Sequence, residues 1–183
     1  VMVIDASGKL QANRSGFTNA DSKWSATSNK TLYAKWTANT YTVTLDNQGA
    51  TSAGTTSVTA TYASAMPPIT PPERTGYTFG GYYTDTNGAG TQYYHGTGTS
   101  FRNWNIASNN TTLYAKWTAN KYTVKFNGNG STSGSMADQS FTYDAAQNLT
   151  TNAFTRTGYT FAGWNTNKNG TGTSYTDGQS VEN

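Results

Sequence analysis

The chain has 183 residues, of which 34% are hydrophobic, 14% are aromatic and 11% are charged. Its aromatic residues supply large side chains for a core, which excludes a disordered polyelectrolyte, and its many Thr, Tyr, Gly and Asn residues favour strands and turns. The net charge of +3 comes from scattered Lys and Arg residues, so no nucleic-acid partner is predicted. The chain has no cysteine, which excludes disulfide bonds and thiolate metal sites.

Membrane insertion is not predicted for this sequence. No apolar run approaches the roughly 18 residues of a membrane-spanning helix, and no signal peptide is visible. We therefore expect any export signal or membrane anchor to lie outside the given residues.

The first unit, residues 1–39, has the pattern of the C-terminal part of a repeat. A short apolar strand at residues 1–4 and a turn at 5–8 precede a terminal strand at 31–37. Side chains alternate between the two faces of a strand. One face of the terminal strand is therefore predicted to enter the core: Leu32, Ala34 and Trp36.

The second unit, residues 40–120, has the pattern of a complete repeat. It begins with a strand at 41–45, a turn and a second strand at 57–62, which together predict a hairpin. A third strand is predicted at 77–83 and a final strand from Thr112. These are the four main strands of the predicted fold.

Each unit is predicted to contain at most a short helix. In the second unit, four prolines between residues 67 and 72 limit it to a single turn around 63–66. In the third unit, residues 144–149 are a better short helix, with Asp144 as the N-cap.

Three phrases recur along the chain at a nearly constant offset of 81 or 82 residues. The pairs are residues 31–39 and 112–120, 41–45 and 122–126, and 74–82 and 156–164. A fixed period of this kind indicates tandem repeats, so the chain is expected to be a window on a longer array. The third unit, residues 121–183, begins a further repeat and lacks its terminal strand. Six of its aromatic side chains are predicted to point inward: Phe126, Phe141, Tyr143, Tyr159, Phe161 and Trp164.

These phrases resemble the Listeria-Bacteroides repeat family. They read Arg-Thr-Gly-Tyr-Thr-Phe-Ala-Gly-Trp, Thr-Leu-Tyr-Ala-Lys-Trp-Thr-Ala-Asn and Tyr-Thr-Val-x-Phe-x-x-x-Gly. The resemblance implies a mostly β chain of tandem β-grasp-like repeats, found in bacterial surface or secreted proteins as stalks, spacers or adhesion segments. It implies no active site. Tyr82 replaces the family's usual Trp, and prolines crowd the helix region.

No catalytic, cofactor-binding or metal site is predicted. His95 is the only histidine and has no acidic neighbour in sequence, so a loop role is favoured over catalysis. The acids of the second unit are Asp46, Glu73 and Asp85, which lie beside turns or prolines. Nothing indicates two carboxylates that face one cleft, as glycoside hydrolysis needs.

Carbohydrate binding is an alternative function, because sugar rings stack on exposed aromatic faces. The candidate side chains cluster in a loop-rich part of the second unit: Tyr82, Tyr83, Tyr93, Tyr94 and Trp104. Core packing is the competing interpretation, since a unit of about 80 residues without disulfides needs large apolar side chains.

The leading hypothesis is a non-enzymatic structural or adhesion module, extracellular or on a bacterial cell surface, with neighbouring repeats as its partners. An alternative is a head-to-tail extracellular filament, in which the terminal strand of one chain completes the third unit of another copy. That strand consists of Thr31, Leu32, Tyr33, Ala34, Lys35, Trp36 and Thr37. A surface glycan or protein is a further candidate partner.

Overall fold

Residues 3–182 are described by a computed structural model and form strands with almost no helix. The strands are β1 (Thr40–Asp46), β2 (Ser57–Thr61), β3 (Tyr77–Tyr83), β4 (Gln92–Tyr94), β5 (Thr111–Ala119), β6 (Lys121–Val124), β7 (Gln139–Thr142), β8 (Gln147–Asn148), β9 (Trp164–Asn165), β10 (Ser174–Tyr175) and β11 (Ser180–Val181). The only helical element of the described part is the 3-10 turn Thr86–Gly88. Within that part, no helix has the length and apolar character needed to cross a membrane.

The chain divides into two compact parts, residues 1–37 and 38–183. The boundaries predicted at residues 39 and 120 between the three units stay a prediction. Two residues of the strand predicted at 1–4, Val1 and Met2, lie outside the described residues.

The first part contains short bridges in place of a sheet. Ile4 pairs with Leu10, and Thr18 pairs with Trp24. The prediction of a terminal strand with a buried face at 31–37 is wrong, because these residues form no strand and are all exposed. A strand needs a neighbour for its backbone N–H and C=O groups, and no described residue pairs with this segment.

The second unit forms a five-stranded sheet in the order β2-β1-β5-β3-β4. The central strand, β5, pairs parallel with β1 and antiparallel with β3. The strands predicted at 41–45, 57–62 and 77–83 and from Thr112 are confirmed within one residue. β4 is an additional short strand that the sequence did not predict.

Alternation along β1 and β5 builds the core of this sheet. Val43, Leu45, Leu113 and Ala115 all point into it and are buried. Large aromatic rings fill the rest of the core: Tyr82, Tyr93, Tyr94 and Trp104. The hydroxyl of Tyr94 donates to the carbonyl oxygen of Pro67 at 2.9 Å, which keeps a buried phenol hydrogen-bonded.

A β-bulge interrupts the pairing of β3 with β5 between Phe79 and Tyr82. Gly81 lies in this bulge with a φ of 108°, where an L side chain is strained. A Cβ atom at Gly81 would also overlap the carbonyl oxygen of Tyr94. The bulge places Phe79 and Tyr82 on the same side, with their ring centroids 5.1 Å apart.

The short helix predicted at residues 144–149 is wrong, whereas the limit of at most a single helical turn at 63–66 agrees with the structure. Asp144 has a φ of 54° and lies in a turn, and the following residues Gln147–Asn148 form β8. Ala63, its counterpart in the second unit, has a φ of 60° and also lies in a turn. Positive φ is incompatible with a right-handed helix, so neither position begins one.

The third unit has three two-stranded pairs, β6 with β7, β8 with β11 and β9 with β10. The predicted inward position is confirmed for Phe141, which is buried. It is wrong for Tyr159 and Phe161, which are exposed. Their counterparts in the second unit lie against β5, whereas none of the residues 121–182 forms such a strand.

The position of Leu113 in the central strand predicts a large cost for its truncation. We expect Leu113→Ala to lower the free energy of unfolding by about 2–5 kcal/mol, since a fully buried Leu leaves a cavity. Leu32→Ala is the matched control, because the same phrase places that leucine at 46% exposure. Its effect should stay within about 0.5 kcal/mol. Urea unfolding followed by tryptophan fluorescence, at a concentration where the chain is monomeric, measures both, and equal effects would contradict the assignment.

Candidate functional site: the junction between consecutive units

The titratable side chains form no catalytic or metal constellation in the described part of the chain. No group of three or more His, Cys, Asp or Glu residues that could hold a metal occurs among residues 3–182. The ring of His95 lies against that of Phe101, with centroids 4.8 Å apart. The carboxylate of Asp46 accepts a hydrogen bond from the backbone N–H of Gln48 at 2.9 Å, which is a turn-forming role.

Four of the five aromatic candidates for glycan stacking lie in the core. The buried members are Tyr82, Tyr93, Tyr94 and Trp104. The fifth, Tyr83, is half-buried, and the ammonium of Lys116 lies 5.6 Å from its ring centroid. A sugar needs an exposed ring face, and Tyr83 is the one candidate of the five that is not buried. Glycan binding stays a prediction.

The junction between the second and third units is built by backbone hydrogen bonds around one residue. Asn120 alone separates β5 from β6. Its N–H donates to the carbonyl oxygen of Gly76 at 2.8 Å, and its carbonyl oxygen accepts from the N–H of Tyr143 at 2.9 Å. The Asn120 side chain also accepts from the hydroxyl of Thr78 at 2.6 Å. The linking residue is therefore bonded to both units.

Side chains from both units meet beside Asn120. The rings of Tyr77 and Tyr143 pack edge to face, with centroids 5.7 Å apart. The Tyr77 hydroxyl donates to the carboxylate of Asp144 at 2.9 Å. The guanidinium of Arg74 lies 3.9 Å from the Tyr77 ring centroid, which adds a cation–π contact.

Gly76 allows the two units to approach this closely. Its φ is 76°, in the left-handed region that favours glycine. A Cβ atom at this position would overlap the ring of Tyr143. The glycine therefore provides both the turn before β3 and the space for the neighbouring ring.

Hydrogen bonding to Asp144 raises the pKa of Tyr77 above its ordinary value of 10.0, and burial and the carboxylate charge act in the same direction. The protonated phenol is the form that donates this bond. The contact is therefore present at neutral pH and is lost as the pH rises through the raised pKa.

Each side of this junction occurs a second time in the chain, without its partner. The Gly76 side recurs in the third unit, and the Asn120 side recurs at the start of the second unit. Gly158 has a φ of 79° with nothing within 4 Å of a Cβ, and Arg156 stacks on Tyr159 at 4.0 Å. These residues repeat the Gly76 side of the junction. On the other side, the N–H of Tyr62 donates to the Asn39 carbonyl oxygen at 2.9 Å, as Tyr143 does to Asn120.

Sequence reasoning interpreted Tyr143 and Tyr159 as core residues and missed the junction. The signal that could have revealed it is the recurrence of Arg-Thr-Gly-Tyr with a Tyr before the next turn.

Comparison with known proteins identifies the repeat. The sequence profile of the Listeria-Bacteroides repeat domain matches residues 41–116 and 122–183. A protein named "Putative membrane protein" of Evansella cellulosilytica is 36% identical over 80% of this chain and 21% of its own length. Internalin H of Listeria monocytogenes is 38% identical over 49% of this chain and 14% of its own length. The chain thus spans about a fifth or less of these relatives. No solved structure matches the chain.

Because Gly76 lies so close to the ring of Tyr143, adding a single methyl group at this position should disrupt the contact between the two units. We expect Gly76→Ala to break the Tyr77–Tyr143 contact and to broaden the distance distribution between the second and third units. Gly158→Ala is the matched control, because it carries the same positive φ without a neighbouring ring. The chain has no cysteine, so spin labels at exposed Ser57→Cys and Ser140→Cys report the distance by pulsed electron resonance.

A narrow distribution in Gly76→Ala would contradict this role. Equal broadening in Gly76→Ala and Gly158→Ala would assign the effect to backbone strain alone.

The buried phenols predict a loss of stability at high pH. Burial raises the pKa of Tyr82 and Tyr94 far above the ordinary 10.0. Ionisation above about pH 10 therefore favours the unfolded chain, and the stability present below that pH is lost as the pH rises. The urea concentration at the unfolding midpoint should fall as the pH rises from 9 to 11. We expect Tyr94→Phe to reduce the slope of this midpoint against pH. The exposed Tyr33→Phe should leave the slope unchanged, and a slope that Tyr94→Phe does not alter would refute the linkage.

Proposed function

Because the chain belongs to the Listeria-Bacteroides repeat family, we propose that it is a non-enzymatic spacer of a bacterial surface protein, which holds another part of that protein away from the cell or serves in adhesion. The family is one of bacterial surface proteins and is typically non-catalytic. The relative named as a membrane protein and the similarity to Internalin H support an extracellular or cell-surface location.

The junction is the observation that carries this proposal. A flexible linker between two domains needs several residues without fixed partners. Here one residue links β5 to β6, and both its N–H and its C=O are bonded across the junction. Two units joined in this way keep a fixed orientation, which is what a spacer requires.

The fold also suits a load-bearing repeat. The order β2-β1-β5-β3-β4, with β1 and β5 parallel at its centre, supports a β-grasp-like arrangement in which proline-rich loop replaces the crossing helix. The closing strand of one unit is followed at once by the first strand of the next. A chain of such units extends in one direction by a constant step.

The experiment that tests the spacer adds repeats to the full chain. One, two or three further copies of residues 40–120 are inserted after Asn120, and small-angle scattering gives the largest dimension of each protein. A rigid array predicts an equal increment for each copy. A freely jointed array predicts growth roughly as the square root of the number of copies, and that result would overturn the proposal.

The matched series carries Gly76→Ala in every copy. Since this substitution removes the space for the neighbouring tyrosine, the increments should shrink as copies are added. If the largest dimension increased by the same amount per copy as in the unaltered series, the junction would not determine the length of the array.

A further inference from the structure

The second unit places its first and last strands side by side in parallel. β1 begins the unit and β5 ends it, and both are interior strands of the order β2-β1-β5-β3-β4. Their pairing joins Val43 to Thr111 and continues in register to Asp46 and Tyr114. Tension carried along the chain therefore reaches the sheet through these two strands.

The points where the chain enters and leaves the sheet lie at opposite ends of the paired strands. The chain enters β1 at Thr40, three residues before Val43, and leaves β5 at Ala119, eight residues after Thr111. Because Val43 and Thr111 are partners, the two points are about 36 Å apart along the strands and only about 5 Å apart across them. A pull on the chain is therefore directed almost along the strand axis.

A pull in this direction loads the hydrogen bonds between β1 and β5 in shear. β1 is drawn toward its N-terminus and β5 toward its C-terminus, so the two strands must slide past each other. The bonds of a parallel pair are evenly spaced along the strands, and sliding strains all of them together. A pull across the strands breaks the same bonds one after another from one end. The pair therefore resists a pull along the strands more strongly.

The side chains between the two strands add to this resistance. Val43 and Leu45 of β1 and Leu113 and Ala115 of β5 are buried in one core. Sliding would move these side chains out of their close packing and expose apolar surface to water. The core and the backbone bonds therefore oppose the same displacement.

One side-chain hydrogen bond ties the chain after β1 to the far end of β5. The indole N–H of Trp117 donates to the backbone carbonyl oxygen of Asn47 at 3.0 Å. Asp46 is paired with Tyr114, so Trp117 lies nearer the C-terminus of β5 than the position opposite Asn47. Sliding moves the indole and the carbonyl oxygen apart, and this bond must break before the strands separate.

The side chain of Asn47 is bonded as well. Its amide oxygen accepts a hydrogen bond from the hydroxyl of Tyr82, a buried residue of β3. Asn47 is thus held by β5 through its backbone and by β3 through its side chain. A force that withdraws β1 has to release both contacts.

We propose that the second unit has a second function as a mechanical clamp, formed by β1, β5 and the Asn47–Trp117 bond, which bears tension along the chain. The inference rests on the proposed function, because a spacer that holds another part of the protein away from the cell transmits any pull on that part. Forced unfolding is governed by the rate of unfolding and not by the equilibrium stability. The clamp therefore gives a resistance that depends on the direction of the pull.

Optical tweezers on the full chain compare two directions of pulling. The chain has no cysteine, so DNA handles can be attached at pairs of introduced cysteines. Ala38→Cys with Lys121→Cys, both at exposed positions, applies shear to β1 and β5. Ala38→Cys with Asn109→Cys pulls across the strands, because Asn109 lies just before β5, at the end of the pair where β1 begins.

The unfolding force at equal loading rate should be at least about twofold higher in shear, because the evenly spaced bonds break together and not in sequence. Each event counted must lengthen the molecule by the full chain between the handles, which assigns it to the second unit. Equal forces in the two directions, or a lower force in shear, would overturn the proposal.

Two tryptophan variants test the bond to Asn47. Trp117→Phe removes the indole donor and should raise the unfolding rate at constant force about fivefold more in shear than across the strands, the effect of one lost hydrogen bond. Trp104→Phe is the matched control, because Trp104 is buried in the same core and its indole N–H has no hydrogen-bond partner among residues 3–182. This variant should change both rates by the same factor.

If Trp117→Phe also changed both rates by the same factor, the assignment of its indole to the clamp would be wrong. The comparison of the two directions in the otherwise unaltered chain needs neither variant, so it decides the proposal even if one of them fails to fold.

The clamp and the spacer fail in different measurements. Equal increments in the scattering series, together with equal unfolding forces in the two directions, would leave the spacer intact and exclude the clamp. A freely jointed array whose second unit still resists shear more strongly would exclude the rigid spacer and leave the clamp intact.

Discussion

The pairing of β5 with strands on both of its sides is the constraint on which the second unit depends. In the second unit this strand joins β1 to β3, and its inward side chains Leu113 and Ala115 are buried. The identical phrase at residues 31–37 has no described strand partner and is exposed throughout. The two copies have the same β-propensity and alternation. Their different fates show that tertiary pairing, and not the local sequence, makes the strand.

Much of the second unit could be predicted from its sequence, because alternation and turn residues act locally. β1 and β3 follow from the pattern of Val43 and Leu45 and from the Gly and Asn residues between strands. The short helix predicted at 144–149 failed for a local reason too, since Asp144 has a positive φ, and an Asp before a helical pattern also fits an N-cap. β4 is only three residues long and lies in a Gly-rich stretch, so alternation gave no usable pattern.

The burial of the aromatic cluster could not be predicted, because the bulge at Gly81 breaks the period of two. Strict alternation places Phe79 and Tyr82 on opposite faces, yet their rings are in contact. The same shift carries Tyr82 into the core and leaves Tyr83 against Lys116. The junction was missed for a different reason. Tyr143 is large and apolar, and a sequence does not distinguish a ring that packs within its own unit from one that packs on the next.

The stability of a unit and the geometry of the array are linked, because both depend on one continuous stretch of chain. β5 supplies the core of the second unit, and Asn120, the next residue after it, holds the third unit through Gly76 and Tyr143. Any change that loosens β5 therefore also releases the residue that orients the neighbour. In most tandem arrays, repeats are stabilised by interfaces between folded units. Here the interface begins where the last strand of the sheet ends, so the strand that closes the core of one unit also anchors the unit that follows.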